Sequence, residues 1–324
     1  MQNPSSRRVW LAAALATACW PALSQETFPA KPITLVVPFS AGSGTDQITR
    51  LLAKGLTGNL GVPVIVENKP GASGAIAASA AAKAKPDGYT LLIGSATTNA
   101  VNFSLFSGKL GYTPDSFEII STLSSSPISL YVPYASPWKS VADLKAASAQ
   151  ARPVLTCGSG NAVNQVACEI FRQQARVPLI NVPYKSNPNS LSDLAGGQIA
   201  FAFSDATAAL ALVESKRVRP LAVATTKRYP SYADTPTFEE AGVAKFEFTG
   251  WTAVFAPAGV PRPVIETLHQ ALVKVMALPE VAQYTQRTGS VVKSASLAES
   301  REFATQELAR WSRYIKESNV KFEQ

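Results

Sequence analysis

The sequence is short of the residues that enzymes use as bases and metal ligands. Its 324 residues include a single histidine, His269, and three cysteines. We expect His269 on the surface of a helix, away from the Gly- and Ser-rich turns, and neither residues 94–96 nor 158–160 form the G-x-S-x-G turn of a serine hydrolase. The histidine and cysteines also lack the spacing of a metal site. We therefore predict a protein without a catalytic centre, a bound metal or a cofactor.

Motifs for phosphate and nucleic acid are missing as well. The turn Gly42-Ser43-Gly44 lacks the third glycine of a dinucleotide-binding loop, and no G-x-x-x-x-G-K-[ST] sequence is present. The chain carries 30 basic and 22 acidic residues, a formal net charge of +8, but no basic run is interleaved with aromatic residues. Nucleotides and nucleic acids are therefore not expected as partners.

One long apolar run is present, and it lies at the start of the sequence. Arg7 and Arg8 precede residues 9–20, and Ala22-Leu23-Ser24 resembles a small-residue cleavage site. The run is shorter than the ~20 apolar residues of a membrane span. We predict a signal peptide at residues 1–24 and export to the periplasm, with an uncleaved anchor as the alternative.

Two cysteines, Cys157 and Cys168, follow the predicted signal peptide. Cysteines in an oxidising compartment can pair, but the Cα atoms of a bridged pair must lie ~4.4–6.8 Å apart. Cys157 is predicted at the end of a strand, and Cys168 about two turns into the next helix. This placement favours two buried thiols, and a disulfide is the alternative.

Apolar, β-branched runs alternate with amphipathic helices along most of the chain. The run at 33–37 is typical of a buried strand, and the helix after it carries Ile48, Leu52 and Leu56 on one face. Repetition of this strand–turn–helix order predicts an α/β fold with a parallel sheet. Ser124-Ser125-Ser126-Pro127 separates two extended runs, and we expect the chain to cross between two domains there.

Turns rich in Gly, Ser, Thr and Asn follow three predicted strands, at residues 40–46, 94–99 and 158–161. In such sheets ligands bind beyond the carboxyl ends of the strands, so the turns should lie close together. Their hydroxyl groups, and the N–H groups that begin the following helices, suit an anion such as a carboxylate. For any single turn, a purely structural role is the alternative. We expect a carboxylate site where the three turns meet.

Individual polar side chains in and near these turns have more than one interpretation. Thr45 or Asp46 is predicted to cap the first helix, and for Asp46 this role is favoured over ligand contact. Asp205 is likewise favoured as a helix cap over an acceptor for a ligand hydroxyl. Lys185 either neutralises a ligand carboxylate or forms an ion pair between domains, and the sequence leaves both open.

Several segments, in a fixed order, resemble the Bug family of extracytoplasmic solute receptors of tripartite tricarboxylate transporters. They are KPITLVVPF at 31–39, AGSGTD at 41–46, VENKPGASG at 66–74, KPDGYTLL at 85–92, VPYK at 182–185, LAGGQ at 194–198 and FAPAG at 255–259. The resemblance covers essentially the whole chain after the predicted signal peptide. Asn99 stands where the family often has His, and Ser186-Asn187 replaces its usual Gly-Ser.

The resemblance implies an α/β, two-lobed periplasmic binding protein of the type II, Venus-flytrap kind, in which each lobe is a sheet flanked by helices. We place lobe I at 25–126 and 247–324, and lobe II at 127–246. The implied function is to capture a small carboxylate: a di- or tricarboxylate, or an aromatic carboxylate such as a benzene dicarboxylate. The receptor would act as a monomer and deliver this ligand to a permease with large and small membrane subunits. Signalling to a membrane sensor, or catalysis in the same cleft, are the alternatives.

The family motifs, matched position by position, give the predicted ligand-binding residues. In lobe I they are Ser40, Ala41, Gly42, Ser43, Gly44, Thr45, Asp46, Ser95, Thr97, Thr98 and Asn99. In lobe II they are Ser159, Gly160, Asn161, Asn164, Tyr184, Lys185 and Asp205.

Overall fold

The computed structural model describes residues 27–106, 108–229, 232–292 and 295–318, so the predicted signal peptide lies outside the described residues. The strands are β1 (Ile33–Val37), β2 (Val64–Asn68), β3 (Thr90–Ser95), β4 (Phe117–Pro133), β5 (Leu155–Ser159), β6 (Leu179–Pro183), β7 (Phe201–Asp205), β8 (Val218–Val223), β9 (Thr249–Pro257) and β10 (Val291–Val292). The α-helices are α1 (Gly44–Leu60), α2 (Ala75–Ala82), α3 (Asn102–Leu105), α4 (Val141–Gln150), α5 (Ala162–Gln174), α6 (Asn187–Ala195), α7 (Ala206–Glu214), α8 (Arg262–Met276), α9 (Pro279–Thr288) and α10 (Leu297–Glu317). Within the described ranges, none of these helices combines the length and apolar character needed to cross a membrane.

The strands pair in the order β2-β1-β3-β9-β4-β7-β5-β6, and β8 and β10 both pair with β4. We call β1, β2, β3, β9, β10 and the first part of β4 sheet A, and β5 to β8 with the rest of β4 sheet B. Strands β1 to β3 are mutually parallel, as are β5 to β7. The predicted parallel order therefore holds for β1 to β3 and for β5 to β7, whereas β4, β8 and β9 pair antiparallel with their neighbours.

Strand β4 corrects one prediction. The Ser124–Pro127 segment was expected to interrupt two strands, but β4 runs without a break for 17 residues. Residues up to Pro127 pair with β9, and residues from Ile128 onward pair with β7 and β8. Proline lacks a backbone N–H but tolerates extended φ, so it fits where the strand changes partners. The segment marks the passage from sheet A to sheet B without ending the strand.

Apolar side chains fix the two helices that begin beside the candidate site. On α1, the predicted apolar face of Ile48, Leu52 and Leu56 is buried, and the helix packs on α8. On α5, the ring of Phe171 contacts that of Phe203 at a centroid distance of 5.8 Å. Full burial of such a side chain contributes ~1.5–3 kcal/mol, so both helices are held firmly against the core.

Candidate functional site

A cavity of about 70 Å³ lies where sheets A and B meet, beyond the carboxyl ends of β1, β3, β5, β6 and β7. We call it the site cavity. The lining residues are Phe39, Gly44, Thr45, Ser95, Ala96, Thr97, Ser124, Ser126, Ile128, Asn161, Val163, Asn187, Asp205, Thr207, Gly250, Trp251, Thr252, Tyr284 and Ser290.

The first wall of the site cavity is the start of α1. Ser43 caps this helix: its Oγ accepts the N–H of Asp46 at 3.2 Å, and its carbonyl accepts the N–H of Gln47 at 2.9 Å. The predicted cap, Thr45 or Asp46, was therefore wrong, because Ser43 is the last residue with extended backbone before the helix. Gly44 and Thr45 supply the first N–H groups of α1, and both residues line the site cavity.

Asp46 holds the α1 loop together from behind. Its carboxylate accepts the N–H of Gly42 at 2.9 Å, the amide of Asn68 at 2.9 Å and the guanidinium of Arg50 at 3.0 Å. Burial opposes ionisation, but the hydrogen bonds from Arg50, Gly42 and Asn68 outweigh it and lower the pKa of Asp46. Asp46 is 2% exposed and does not belong to the cavity lining.

The turn after β3 completes the first wall. Ser95 and Thr97 line the site cavity, whereas Thr98 lies beneath them and is fully buried. The Thr98 hydroxyl accepts the N–H of Ser95 at 2.9 Å and donates to Asn99 at 2.7 Å. Asn99 faces a different pocket, together with Phe103 on α3. Two of the four predicted residues in this turn therefore face the site cavity, and the other two support them.

The second wall is a chain of amides that ends at a carboxylate. Asn161 caps α5 by accepting the N–H of Asn164 at 3.0 Å, and it lines the site cavity. The Nδ2 of Asn164, which is fully buried, donates to Oδ1 of Asn187 at 2.6 Å. The Nδ2 of Asn187 then donates to Oδ2 of Asp205 at 2.7 Å. Asn187 was not among the predicted residues, although it closely follows a strand as they do.

Asp205 performs its predicted capping role and also faces the site cavity. Its Oδ1 accepts the N–H of Ala208 at 2.8 Å at the start of α7. Burial raises the pKa of Asp205, and the hydrogen bonds from Ala208 and Asn187 offset this only in part. A Cβ atom on Gly44 would overlap Oδ1 of Asp205, so the two walls are in close contact here.

A disulfide joins Cys157 of β5 to Cys168 of α5, with the Cα atoms 6.2 Å apart. The prediction of two thiols was therefore wrong. Cys157 lies two residues before the end of β5, and α5 folds back over the strand after a short turn. Because a helix rises ~1.5 Å per residue, its second turn returns to the level of Cys157. The bridge joins the middle of α5 to sheet B, and Asn161 caps the start of the same helix.

The other predicted residues lie outside the cavity lining. Ala41 and Gly42 are exposed, Ser159 donates to Asn181 at 2.7 Å, and Tyr184 donates to Asp193 at 2.8 Å. Gly160 needs its small size, because a Cβ there would overlap the backbone of Asn187. Ser40 and Asn189 lie 3.4 Å apart, Oγ to Oδ1, between the two walls. Lys185 is exposed and lines a separate pocket with Tyr184.

Elements distant in sequence supply the rest of the lining. Ser124 of β4 and Thr252 of β9 share a hydrogen bond of 2.9 Å between their hydroxyls. Tyr284 comes from α9, and burial, together with the nearby charge of Asp205, raises its pKa. Sequence reasoning missed these positions. Of them, only the serine-rich segment at 124–126 gave a signal, and we interpreted it as a crossing between domains.

The charge of the site cavity is one-sided. Among the described residues that line it, Asp205 and Tyr284 are the ionisable groups, and no lysine, arginine or histidine joins them. His269 is half-buried on α8, with its Nδ1 2.9 Å from the carbonyl of Ile120, and does not line the cavity. No group of three or more His, Cys, Asp or Glu side chains that could hold a metal ion is found in the described part of the chain. An anion here would be held by N–H and hydroxyl donors.

The family model described as "tripartite tricarboxylate transporter family receptor" matches residues 48–320. A protein from the tcbD-tcbE intergenic region of Pseudomonas sp. strain P51 is 31% identical, and the match covers 98% of this chain and 96% of that protein. Protein BugT of Bordetella pertussis is also 31% identical, with 92% of this chain and 93% of BugT covered.

Solved structures of periplasmic proteins have the same fold. BugD superposes with a TM-score of 0.86 at 28% identity, covering 91% of this chain and all of BugD. Rpa4515 of R. palustris, solved with adipate, gives 0.86 at 32% identity, with coverages of 91% and 99%. MatC of Rhodopseudomonas palustris, solved with malate, gives 0.84 at 28% identity, with coverages of 89% and 100%. The predicted two-lobed binding-protein fold and the resemblance to Bug receptors are thereby confirmed.

Proposed function

Because the chain belongs to the receptor family of tripartite tricarboxylate transporters, we propose that it captures a small carboxylate in the periplasm and delivers it to a permease with large and small membrane subunits. The ligand is a di- or tricarboxylate or an aromatic carboxylate, and it is released unchanged. The receptor acts as a monomer after loss of residues 1–24. Adipate and malate, the acids in the Rpa4515 and MatC structures, support this ligand class.

The observation that carries the proposal is a cavity between two sheets that offers uncharged donors from the start of a helix. Gly44 and Thr45 present the first N–H groups of α1, and Ser95 and Thr97 add hydroxyls. A carboxylate loses hydration when it is buried, and aligned N–H groups at a helix start replace the lost hydrogen bonds. These donors are uncharged, so the site needs no buried cation. A buried cation would be left poorly hydrated and without a partner charge after the ligand leaves.

In the proposed mechanism, the ligand bridges the two walls. One carboxylate contacts Gly44, Thr45, Ser95 and Thr97 on the sheet A side, and the rest of the molecule contacts Asn161, Asn187 and Asp205 on the sheet B side. Four other predicted residues, Ser43, Asp46, Thr98 and Asn164, hold these positions from behind. A ligand that contacts both walls binds the closed form better than an open one, so it shifts the population toward closure.

A binding screen on the chain without residues 1–24 tests the ligand class. Thermal shift and calorimetry would compare succinate, adipate, citrate, benzoate and phthalate with their neutral amides and with sugars. At a ligand concentration of 100 Kd, binding adds ~2.7 kcal/mol to the free energy of unfolding, which is easily detected. We expect at least one acid to raise Tm while its amide does not. Stabilisation by sugars, with no response to any acid, would contradict the proposal.

A matched pair of variants tests the cavity. Thr97, which is 2% exposed, lines the site cavity, whereas Thr226 is exposed and lines a different pocket. We expect Thr97→Val to weaken binding of the acid about tenfold, because it removes a donor and keeps the shape. Thr226→Val should leave the affinity unchanged, and an equal effect of both variants would place the ligand elsewhere.

Deletion of the gene tests the delivery step. We expect the cells to lose uptake of the acid identified in the screen, and NMR of the released ligand to show it chemically unchanged. Normal uptake together with loss of gene induction would instead support a sensor role. A chemically altered acid would support an enzyme.

A further inference from the structure

We propose that the site cavity selects carboxylic acids that also carry a hydrogen-bond donor, either a hydroxyl or an ammonium group, and that Asp205 accepts this donor. The inference rests on the proposed function, because it concerns the ligand of the same cavity. It narrows the ligand class: plain dicarboxylates become poor ligands, and hydroxy or amino acids of matching length become good ones.

The direction of the hydrogen bonds in the second wall carries the argument. Asp205 accepts the Nδ2 of Asn187 through Oδ2 and the N–H of Ala208 through Oδ1, so both of its oxygens act as acceptors. Asn187 consequently turns its Oδ1 toward Asn164, which donates its own Nδ2. Asp205 thus sets the orientation of both amides, and the second wall presents acceptors.

Asn164, at the end of this hydrogen-bond series farthest from Asp205, supports the same orientation of the amides. Oδ1 of Asn164 is buried and has no hydrogen-bond partner in the described part of the protein. A rotated Asn164 amide would point this oxygen at Oδ1 of Asn187, so two acceptors would face each other. An unpaired buried acceptor is unfavourable. Asn164 nevertheless keeps this orientation, because Asp205 orients the amide of Asn187, and Asn187 in turn orients the amide of Asn164.

The two walls of the site cavity are therefore complementary to a ligand with two different ends. Gly44 and Thr45 on α1 offer N–H groups, which suit a carboxylate. Asp205 lies on the other wall with no cation among the described lining residues, and a second carboxylate placed beside it would set acceptor oxygens against acceptor oxygens. A hydroxyl or ammonium group in that place would instead donate a hydrogen bond to Asp205.

Matched pairs of acids test the inference on the unmodified chain. Calorimetry would compare malate with succinate, 2-hydroxyglutarate with glutarate, aspartate with succinate, and 3-hydroxybenzoate with benzoate. A hydrogen bond to a charged group corresponds to a gain in affinity of about tenfold or more, so we expect that advantage for the donor-bearing acid of at least one pair. The hydroxyl and amino pairs show which donor is used.

The outcomes separate this inference from the proposed function. If plain acids bind as tightly as their donor-bearing partners, or more tightly, the inference fails and the carboxylate receptor stands. If no acid binds at all, both fail.

Two carboxyl-to-amide variants assign the effect to a residue. Asn is as good a helix cap as Asp, so Asp205→Asn keeps the start of α7 and supplies a donor to the cavity. We expect the preference for the donor-bearing acid to fall below about twofold, through both weaker binding of that acid and tighter binding of the plain one. Asp193→Asn, which changes a carboxylate of α6 outside the cavity lining, should keep the preference.

An unchanged preference in Asp205→Asn would remove Asp205 from this role. If that variant does not fold, the matched pairs of acids on the unmodified chain still decide the inference.

Discussion

Two aspartates, one from each wall, lie at the starts of helices that follow parallel strands, and they have opposite properties. Asp46 in the first turn of α1 pairs with Arg50 and has a lowered pKa. Asp205 at the start of α7 accepts hydrogen bonds from the Asn187 amide and the Ala208 backbone N–H. Burial raises its pKa. Asp46 lies behind its loop, whereas Asp205 lines the site cavity.

The difference comes from the position of each aspartate, since Asp46 lies within α1 whereas Asp205 caps α7, and from the residue four positions later. Residue i+4 from Asp46 is Arg50, on the same helix face, while residue i+4 from Asp205 is Ala209. A neutralised carboxylate can hold a loop without affecting a nearby anion, whereas an unneutralised one acts on any ligand that enters. The same residue type at the same kind of turn therefore serves structure on one side of the cavity and ligand choice on the other.

The largest expected effect comes from removing the structural aspartate. Asp46→Ala leaves the donors of Gly42, Asn68 and Arg50 without their acceptor, so we expect the free energy of unfolding to fall by about 3 kcal/mol. Urea denaturation measures it.

The pair Arg262 and Glu266, also four residues apart on a helix but exposed, is the matched control. Glu266→Ala should leave the midpoint of unfolding nearly unchanged, because exposed ion pairs contribute little. Equal effects of the two variants would show that burial and the extra hydrogen bonds of Asp46 do not matter.

A smaller effect is expected where the two walls touch. In Gly44→Ala the new methyl group overlaps Oδ1 of Asp205 and meets Cβ of Thr207 at 3.3 Å, so closure is opposed. We expect ligand affinity to fall about tenfold, the equivalent of ~1.4 kcal/mol, with little change in the stability of the free protein. Gly58→Ala in the same helix, with no atom within 4 Å of the added carbon, should bind normally. A normal affinity of Gly44→Ala would show that the bound form does not bring these residues together.

The smallest effect is a pH dependence of opposite sign for the two aspartates. The lowered pKa of Asp46 gives stability that is complete above its ordinary value of 3.8 and is lost as the pH falls through the folded-state value. The raised pKa of Asp205 means that the folded form holds its proton longer, so stability is lost as the pH rises from 3.8 through the folded-state value. The neighbours Tyr229, Tyr232 and Tyr284 have raised pKa values and stay neutral in this range.

Unfolding of the parent, Asp46→Asn and Asp205→Asn chains between about pH 3 and 7 separates the two contributions. The stability difference between parent and Asp46→Asn should grow as the pH rises, and the difference between parent and Asp205→Asn should shrink. The same trend for both variants would contradict the comparison.

Much of the fold was predictable because each element carries its own local pattern. The run at 33–37 and the apolar face of α1 need no distant information, and the structure contains both. The continuity of β4 was not predictable, because serines and Pro127 disfavour a strand locally and the stabilising partners β7, β8 and β9 lie far away in sequence. The disulfide was missed for a related reason: it depends on how α5 folds back over β5.

The site divides in the same way. Residues directly after parallel strands could be proposed from sequence, since such positions gather at one edge of a sheet; Gly44, Ser95 and Asp205 line the site cavity. Trp251 and Tyr284 could not, because β9 is antiparallel and α9 reaches the cavity only through tertiary packing. Nothing in their local sequence marks them.

The passage between the sheets has a mechanical consequence. The chain crosses twice, through Pro127–Ile128 of β4 and through Phe248–Thr249 at the start of β9, and the crossings are joined by a hydrogen bond from Ile128 N–H to the Phe248 carbonyl. Any change in the angle between the sheets must bend this two-stranded ribbon. Bending a two-stranded ribbon strains the hydrogen bonds between its strands, so the ribbon resists bending, whereas a single loose segment offers no restoring force. Opening would thus be limited in range, and the elastic energy stored in the ribbon would help to return the sheets to their resting angle.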